Sequence, residues 1–392
     1  MKRSAALLAL GLLASTSLRD KGLRAQEATS ATAATSPPPL RRAMFGGDPR
    51  HTGRSSLRGP ARAPTVRWRA RSTRRIFASP VVDAQRRAVV GSLDGALMMV
   101  DAQGVTRAAV HLPTRIFSSA AAVRDLVVFG HDAHAFVALN ARGGTVWSVA
   151  TAHDADAPPA VADDGTLYLA SDALLAVNLR GETQWRRPLD AHAFGAPAVA
   201  GDAVVCTDLQ GGITWVARSD GAMRRRVEGG APIFGGALVL DDTTVVVAAG
   251  DGHLRAYGPD GALRWDHLTD GAAHGFGART TPALRRDGVI VFGAEDGGIY
   301  GVRAADGSRV FKLATGYPVR SSALIDRDEV AYVGGEDDFV HAVNPDGSER
   351  WRVSLGSDVD SSPALLEDGL LVVGCDDGGL YALGEPSAPV GR

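Results

Sequence analysis

The chain has 392 residues, of which 45% are hydrophobic and 22% charged, and its formal net charge is −2. This length allows one large domain or two ordinary ones, and the near-neutral charge gives no support for a nucleic-acid or anionic-membrane partner. The 47 glycines and 20 prolines, with few windows of helical periodicity, indicate an all-β protein rich in tight turns.

Residues 1–25 have the pattern of a secretory signal peptide. Lys2 and Arg3 precede an apolar run from Ala5 to Ala14 that is too short to cross a bilayer, and small residues follow the run. No cysteine follows that could carry a lipid, and no later run reaches 18 apolar residues. The sequence therefore predicts an exported protein, periplasmic or secreted, that is not a lipoprotein and has no transmembrane helix; the alternative is a disordered tail.

Two further segments precede the main domain. Residues 26–40 are small, polar and proline-rich, and we expect them to form a disordered linker. Residues 41–64 hold one aromatic residue, Phe45, among turn-forming residues. We expect them to be an ordered extension packed on the main domain.

Residues 65–384 repeat a unit of about 40 residues. In the unit from Val319 to Trp351, four short apolar runs are separated by turn sequences rich in Asp and Gly, which predicts a four-stranded antiparallel meander. Each unit opens with one residue, here called the anchor, that stands before a triplet of mostly small residues. The eight anchors are Phe77, Phe117, Asp156, Phe194, Phe234, Arg279, Arg320 and Asp360.

A second signature, a tryptophan four residues after a glycine or proline, lies at the end of five units. We expect these tryptophans to dock each blade on its neighbour, because an indole offers a large apolar face and one N–H donor. They are Trp68, Trp147, Trp185, Trp265 and Trp351. The same slot holds Ala108, Arg225 and Phe311 in the other three units. Trp215 stands where other units have Ala or Gly, and is expected either to pack or to project outward.

The eighth unit lacks its fourth strand. Since an unpaired sheet edge is costly, residues 65–70 are predicted to pair with residues 379–384 and to close a ring. The predicted fold is an eight-bladed β-propeller of four-stranded antiparallel blades, the last blade closed by the N-terminal strand, with residues 385–392 as a tail. The alternative is seven blades and a separate hairpin.

The Gly-x-x-x-Trp ends and the Asp-Gly turns, such as the one at 295–298, resemble the PQQ-like repeat family over residues 40–384, nearly the whole mature chain. The family includes quinoprotein dehydrogenases and a non-enzymatic, BamB-like branch. Its enzymes carry adjacent cysteines above the quinone, a calcium site and long insertions. The two cysteines here, Cys206 and Cys375, fall in opposite units, too far apart for a disulfide.

No recognised catalytic motif is present, so no catalytic residue is assigned. His131 and His134, with the aspartate between them, are interpreted as a polar turn rather than a metal site, and the recurring Asp-Gly pairs as turn formers. The sequence thus predicts no metal and no cofactor, with PQQ a possibility that nothing in it supports.

The first strand of each propeller blade lines the central channel, so the anchors are expected to ring the channel mouth. Our hypothesis is that this rim binds an anionic or aromatic group between the phenylalanines and the pair Arg279 and Arg320. The alternative is that the phenylalanines plug the channel while Arg320 pairs with Asp360.

The sequence therefore predicts an exported, monomeric, non-enzymatic propeller that serves as a protein-interaction or ligand-binding scaffold in the cell envelope. The alternative is a PQQ-dependent oxidoreductase or a small-ligand binder.

Overall fold

The computed structural model describes residues 42–386. The predicted signal peptide and linker, and most of the predicted tail, lie outside the described residues. Within this range the chain forms eight antiparallel sheets and one short 3-10 helix, Ala272–His274. The prediction of eight four-stranded blades is confirmed, and the alternative of seven blades is wrong.

In each blade the strands follow one another from the channel outward. The strands of blades 1 to 4 are Val81–Val82, Ala88–Gly91, Ala96–Val100 and Thr106–His111; Ala121–Val123, Leu126–His131, Ala135–Asn140 and Thr145–Ala150; Ala160–Val161, Leu167–Ala170, Ala173–Val177 and Thr183–Pro188; and Ala198–Ala200, Ala203–Thr207, Gly212–Ala217 and Met223–Glu228. Those of blades 5 to 8 are Leu238–Val239, Val245–Ala248, His253–Tyr257 and Leu263–Leu268; Ala283–Leu284, Val289–Gly293, Gly298–Arg303 and Arg309–Ala314; Leu324–Ile325, Ala331–Gly334, Phe339–Val343 and Glu349–Ser354; and Ala364–Leu365, Leu371–Gly374, Gly379–Gly384 and Thr65–Arg71. A short strand, Arg42–Ala43, adds to the inner edge of blade 2.

The second and third strands are mostly apolar and mostly buried on both faces, because each blade is covered by a neighbour on either side. In seven of the eight described blades, the turn between these strands contains a residue in the left-handed region. At Gly95, with φ +88°, an added Cβ would lie 2.0 Å from the Leu112 carbonyl oxygen, so only glycine fits. The preceding Asp94 closes the turn by accepting a hydrogen bond from the Ala96 N–H at 3.0 Å.

Ring closure follows the predicted register. The N-terminal strand Thr65–Arg71 pairs antiparallel with Gly379–Gly384, and Trp68 lies opposite Ala382. The first and last strands of the described propeller thus share one sheet, and Gly379–Gly384 has a partner strand on both sides.

Four of the five predicted docking tryptophans bond the next blade, whereas Trp351 bonds Pro60 of the extension and packs in the apolar cluster of blades 7 and 8. Each indole N–H donates to a carbonyl oxygen at 2.8–3.1 Å: Trp68 to Ala102, Trp147 to Leu179, Trp185 to Arg218, Trp265 to Ala304 and Trp351 to Pro60. Four of the indoles stack on a glycine of that blade, where an added Cβ would lie 2.6–2.7 Å from the ring; the glycines are Gly104, Gly181, Gly221 and Gly307. Glycine is required here for close approach, and not only for the turn.

The other three seams are built differently. Phe311 of blade 6 stacks on Gly347 of blade 7 without a hydrogen bond. In blade 4, Arg225 takes the tryptophan slot and donates to the Pro259 carbonyl of blade 5, and Trp215 on the adjacent strand fills the apolar space between these blades. Trp215 is buried, so it packs rather than projecting outward.

The seam between blades 1 and 2 has no aromatic dock. Its slot holds Ala108, and an added Cβ on the facing Gly143 would meet only Val110 of blade 1 within 4 Å.

The extension that precedes the propeller runs along the channel end farthest from the anchors. Its carbonyl groups accept hydrogen bonds from the inner strands of four consecutive blades: Pro49 from Val199, Arg50 from Val239, Thr52 from Leu284 and Gly53 from Ile325, at 2.7–2.9 Å. Together with the strand on blade 2, these bonds tie the extension to the inner edge of the ring. Because the bonded residues lie five positions after the anchors, the extension is about 16 Å along the strand direction from the rim.

The apolar core is divided among the seams rather than gathered at one centre. One cluster, for example, joins Tyr332 and Trp351 of blade 7 to Val373 and Tyr381 of blade 8. Cys206 and Cys375 are both buried and free. Across residues 42–386, no helix has the length and hydropathy needed to span a membrane.

Candidate functional site

The eight anchors surround one cavity at the mouth of the central channel. Its volume is about 490 Å³, and every anchor from Phe77 round to Asp360 lines it. Phe45 of the extension lines the same cavity from the far end. The fold therefore brings together all the residues that the sequence placed at the rim.

A belt of hydroxyl groups lies two residues after the anchors, just before the inner strands. In five successive steps around the ring, a backbone N–H of one blade donates to the hydroxyl of the next at 2.7–3.0 Å. The steps are Gly236 to Thr281, Thr281 to Ser322, Ser322 to Ser362, Ser362 to Ser79 and Ser79 to Ser119. This hydroxyl belt joins blades 5, 6, 7, 8, 1 and 2. Pro158 and Ala196 interrupt it in blades 3 and 4.

The four phenylalanines form two edge-to-face pairs. The ring centroids of Phe77 and Phe117 are 5.8 Å apart, and those of Phe194 and Phe234 are 6.3 Å apart. Asp156 stands between the two pairs and lies 3.2 Å from His192. Because all four rings border the open cavity, the phenylalanines line the mouth without filling it.

The two rim arginines already have carboxylate partners. Arg279 lies 4.3 Å above the Phe234 ring and its Nε is 2.8 Å from Glu295. Arg320 shares Glu295 at 3.3 Å and also pairs with Glu336. This sharing weakens the expectation of an anionic ligand, since each guanidinium charge is compensated within the chain.

Asp360 is the least satisfied group of the rim. Its side chain is 2% exposed, Oδ2 is 3.6 Å from Arg75, and Oδ1 accepts no hydrogen bond from any described residue. The expected alternative partner, Arg320, is engaged elsewhere. Burial raises the pKa of Asp360, Asp358 adds to this effect, and Arg320 and Arg75 oppose it.

A second, outer set of acidic residues surrounds these anchors, and the sequence analysis missed it. Its members open the turn between the second and third strands: Asp132, Glu295, Glu336 and Asp376. In each of these four blades the backbone N–H at this position donates to the carbonyl of the residue two places before the anchor, as Glu336 does to Pro318 at 3.0 Å. The sequence did contain a signal for this set. Four units have an acidic residue at the same position of the repeat, just before the position at which most units have Asp.

Burial acts on the pKa of two of these acids, Glu336 and Asp132. It raises the pKa of Glu336, which Arg320 lowers and Asp360, Asp358 and Glu295 raise further. It likewise raises the pKa of Asp132, whose Oδ2 lies 2.6 Å from Arg115. The rim is thus rich in carboxylates whose negative charge is only partly compensated.

The polar turn of blade 2 has the geometry of a closed turn. His131 is buried, and its Nδ1 accepts a hydrogen bond from the Ala133 N–H at 3.1 Å. In the described part of the chain, no three His, Cys, Asp or Glu side chains are grouped so that they could hold a metal ion.

Comparison with known proteins agrees with the repeat pattern. The family profile described as outer membrane protein assembly factor BamB matches residues 131–235 and 211–331, which together cover just over half of the chain. The chain belongs to the PQQ-like β-propeller repeat family. No protein in the curated set matches its sequence.

Two solved structures have a similar fold. The crystal structure of BamB from Moraxella catarrhalis superposes with a TM-score of 0.67 at 15% identity, over 82% of this chain and 99% of that protein. The computationally designed Ika8 protein superposes with a TM-score of 0.67 at 17% identity, over 81% of this chain and 98% of Ika8. At these identities the likeness supports the fold and carries no residue roles.

Proposed function

We propose that this PQQ-like propeller is an exported, non-enzymatic scaffold that binds a protein partner in the cell envelope through its channel rim. Its family and its likeness to BamB, a protein described as an outer membrane assembly factor, support an interaction role in that setting. The signal-peptide pattern of residues 1–25 supports export. We further propose that the protein acts as a monomer.

The observation that carries this proposal is the difference between the two channel ends. The extension runs along one end, bonded to the inner strands of blades 4, 5, 6 and 7. At the other end, eight anchors of mixed aromatic and charged character surround an open cavity. Aromatic residues and arginine are the types enriched in protein-binding hot spots, which supports the anchor rim as the contact surface.

The rim suits a quinone cofactor poorly. PQQ carries three carboxylates, and Arg279 and Arg320 already share Glu295. Asp360 presents a buried oxygen without a donor, which would repel an anion. The two free, separate cysteines supply no disulfide above such a group. These features favour a scaffold without a bound quinone.

The test is capture of partners from cell-envelope extracts with the tagged full chain. We expect reproducible capture of one or a few proteins, and loss of that capture when Arg279 and Arg320 are both replaced by alanine, since the two guanidiniums that the partner would contact are then removed. Arg224→Ala with Arg264→Ala is the matched control, because both arginines are surface residues on outer strands. Unchanged capture by the rim variant would contradict the assignment of the rim.

The oxidoreductase alternative has its own measurement. Purified protein is incubated with PQQ and Ca²⁺, and dye reduction is followed with alcohols and sugars. We expect no turnover above the protein-free control; sustained turnover would replace the scaffold by an enzyme.

A further inference from the structure

The Phe77 side of the rim combines an aromatic face with an unsatisfied carboxylate. Around the ring, the Phe77–Phe117 pair stands between the carboxylates of Asp360 and Asp156. Asp360 faces the cavity, is almost completely buried and has one oxygen with no donor among the described residues. Since a buried oxygen left without a hydrogen bond is destabilising, it marks a place where a donor from outside would be stabilised.

The molecule shows twice how such a pair of groups is satisfied. Arg279 covers the Phe234 ring at 4.3 Å while bonded to Glu295. Arg115 lies 5.4 Å from the centre of the Phe117 ring while bonded to Asp132. In both places a guanidinium stacks on a rim phenylalanine and donates to a carboxylate, which combines cation–π attraction with a charge-assisted hydrogen bond.

Phe77 and Asp360 are likewise a rim phenylalanine and a carboxylate, but no cation among the described residues stacks on this ring. Among residues 42–386 no guanidinium or ammonium lies over the Phe77 ring. Arg75 is the arginine paired with Asp360, but its closer partner is Asp376, whose own Oδ1 is also buried and unpaired. The chain therefore supplies fewer donors here than the carboxylates can accept.

The charges on this side of the rim also favour a cation. Three guanidiniums face five carboxylates, a formal local charge of −2 (3 − 5): Arg75, Arg279 and Arg320 against Glu295, Glu336, Asp358, Asp360 and Asp376. An anionic side chain entering the cavity would meet this excess at short range, whereas a cation would relieve it.

We propose that Phe77, Asp360 and the cavity beside them form a cation slot that receives a basic side chain, guanidinium or ammonium, from an exposed loop of the partner protein. This inference rests on the proposed scaffold function and names the chemistry of its partner. A guanidinium stacked on Phe77 donates to Asp360 Oδ1, and the 490 Å³ cavity has room for the side chain and the loop backbone that presents it.

The first experiment measures binding of capped tripeptides to the full chain by titration calorimetry. The probes are Gly-Arg-Gly, Gly-Lys-Gly, Gly-citrulline-Gly and Gly-Glu-Gly. We expect saturable binding of the Arg and Lys peptides, binding of the citrulline peptide weaker by about tenfold or more because it lacks the charge, and no binding of the Glu peptide. Equal affinity for arginine and citrulline, or preference for the Glu peptide, would overturn the cation slot.

The second experiment locates the binding. Asp360→Asn keeps the size of the side chain and removes its charge, and we expect about tenfold or greater loss of affinity for the Arg peptide. Asp202→Asn is the matched control, because that carboxylate is exposed and pairs with Arg224 away from the rim. If circular dichroism shows that Asp360→Asn does not fold, Phe77→Leu is measured instead. We expect this variant to lower the ratio of the affinity for the Arg peptide to the affinity for the citrulline peptide. An unchanged ratio there, or unchanged affinity in Asp360→Asn, contradicts the assignment.

Envelope capture separates this inference from the proposed function. A partner captured equally by wild type and Asp360→Asn, with no binding of the Arg peptide, would refute the cation slot and leave the scaffold role in place. Specific binding of the Arg peptide with no captured protein would refute the scaffold role and leave the slot.

Discussion

The seam between blades 5 and 6 and the seam between blades 1 and 2 are formed by equivalent strands, yet different side chains cross them. At the first, Trp265 stacks on Gly307 and donates to the Ala304 carbonyl. At the second, the slot holds Ala108. The second seam is still crossed by the hydroxyl belt through the bond from Ser79 N–H to Ser119. The comparison teaches that neighbouring blades are joined by two independent kinds of contact: indole docking at the outer strands and the hydroxyl belt near the channel.

The seam between blades 4 and 5 shows a third arrangement. Arg225 donates to the carbonyl that an indole would otherwise reach, and Trp215, one strand inward, supplies the apolar volume. Arg225 and Trp215 thus supply separately the hydrogen bond and the apolar packing that one tryptophan supplies at other seams. The cost is visible at Trp215, whose buried N–H has no acceptor within the described residues.

The largest effect is expected from Trp351→Ala. Trp351 is buried and bonds Pro60 of the extension, so its loss opens a cavity and leaves a buried carbonyl unpaired. We expect a loss of about 3–5 kcal/mol in the free energy of unfolding, measured by chemical denaturation. Ala108→Ser is the control and should change stability by less than about 0.5 kcal/mol. Similar values for the two variants would show that outer docking contributes little.

A second pair of variants tests the role of the indole N–H. Trp265→Phe leaves the Ala304 carbonyl without its donor, whereas Trp215→Phe removes a donor that had no acceptor. We therefore expect Trp265→Phe to be the more destabilising by about 1–3 kcal/mol. The reverse order would mean that Trp215 bonds a group, such as a buried water, that supplies its missing acceptor.

A third measurement compares the seams in the wild-type protein. Amides of the outer strand Thr106–His111, behind Ala108, should exchange hydrogen about tenfold faster than those of Leu263–Leu268, behind Trp265, a difference of about 1.4 kcal/mol in opening free energy. Hydrogen exchange read by mass spectrometry resolves both strands. Equal protection would indicate that the inner belt alone sets local stability.

The smallest effect concerns His341, which is buried beside the outer strand of blade 7. Burial alone would lower its pKa, but hydrogen bonds to Asp337 and Glu349 outweigh burial and raise the pKa. A group whose pKa is raised in the folded state makes its full contribution to stability below the unfolded-state pKa of about 6.5. This contribution is lost as the pH rises through the folded-state pKa. The difference in unfolding free energy between wild type and His341→Gln should therefore be larger at pH 5.5 than at pH 9. A difference independent of pH would contradict this.

Much of the fold follows from the sequence because a repeat reports the same structure eight times. The spacing of Phe77, Phe117 and the other anchors fixed the blade count, and the incomplete last unit required Trp68 to complete it. The placement of all eight anchors around one cavity follows from that symmetry.

The remaining features depend on contacts between units and are not periodic. Arg225 and Trp215 together take the place of one docking tryptophan, and this can be recognised only once the two adjacent strands are paired. The sharing of Glu295 by two arginines needs the positions of two blades, and the unpaired oxygen of Asp360 is defined by what its neighbours bond instead. Sequence patterns predict positions, whereas the charge balance of the rim is a property of the assembled ring.

The strand Thr65–Arg71 is synthesised about three hundred residues before its partner Gly379–Gly384. During that interval the last sheet cannot exist, and the strand's N–H and C=O groups stay open to any other extended chain nearby. Closure of the propeller is thus a late folding event, because it requires the strand Gly379–Gly384 to have been synthesised. A nascent or truncated molecule carries an aggregation-prone edge, so its need for chaperones is greatest before the last blade is complete.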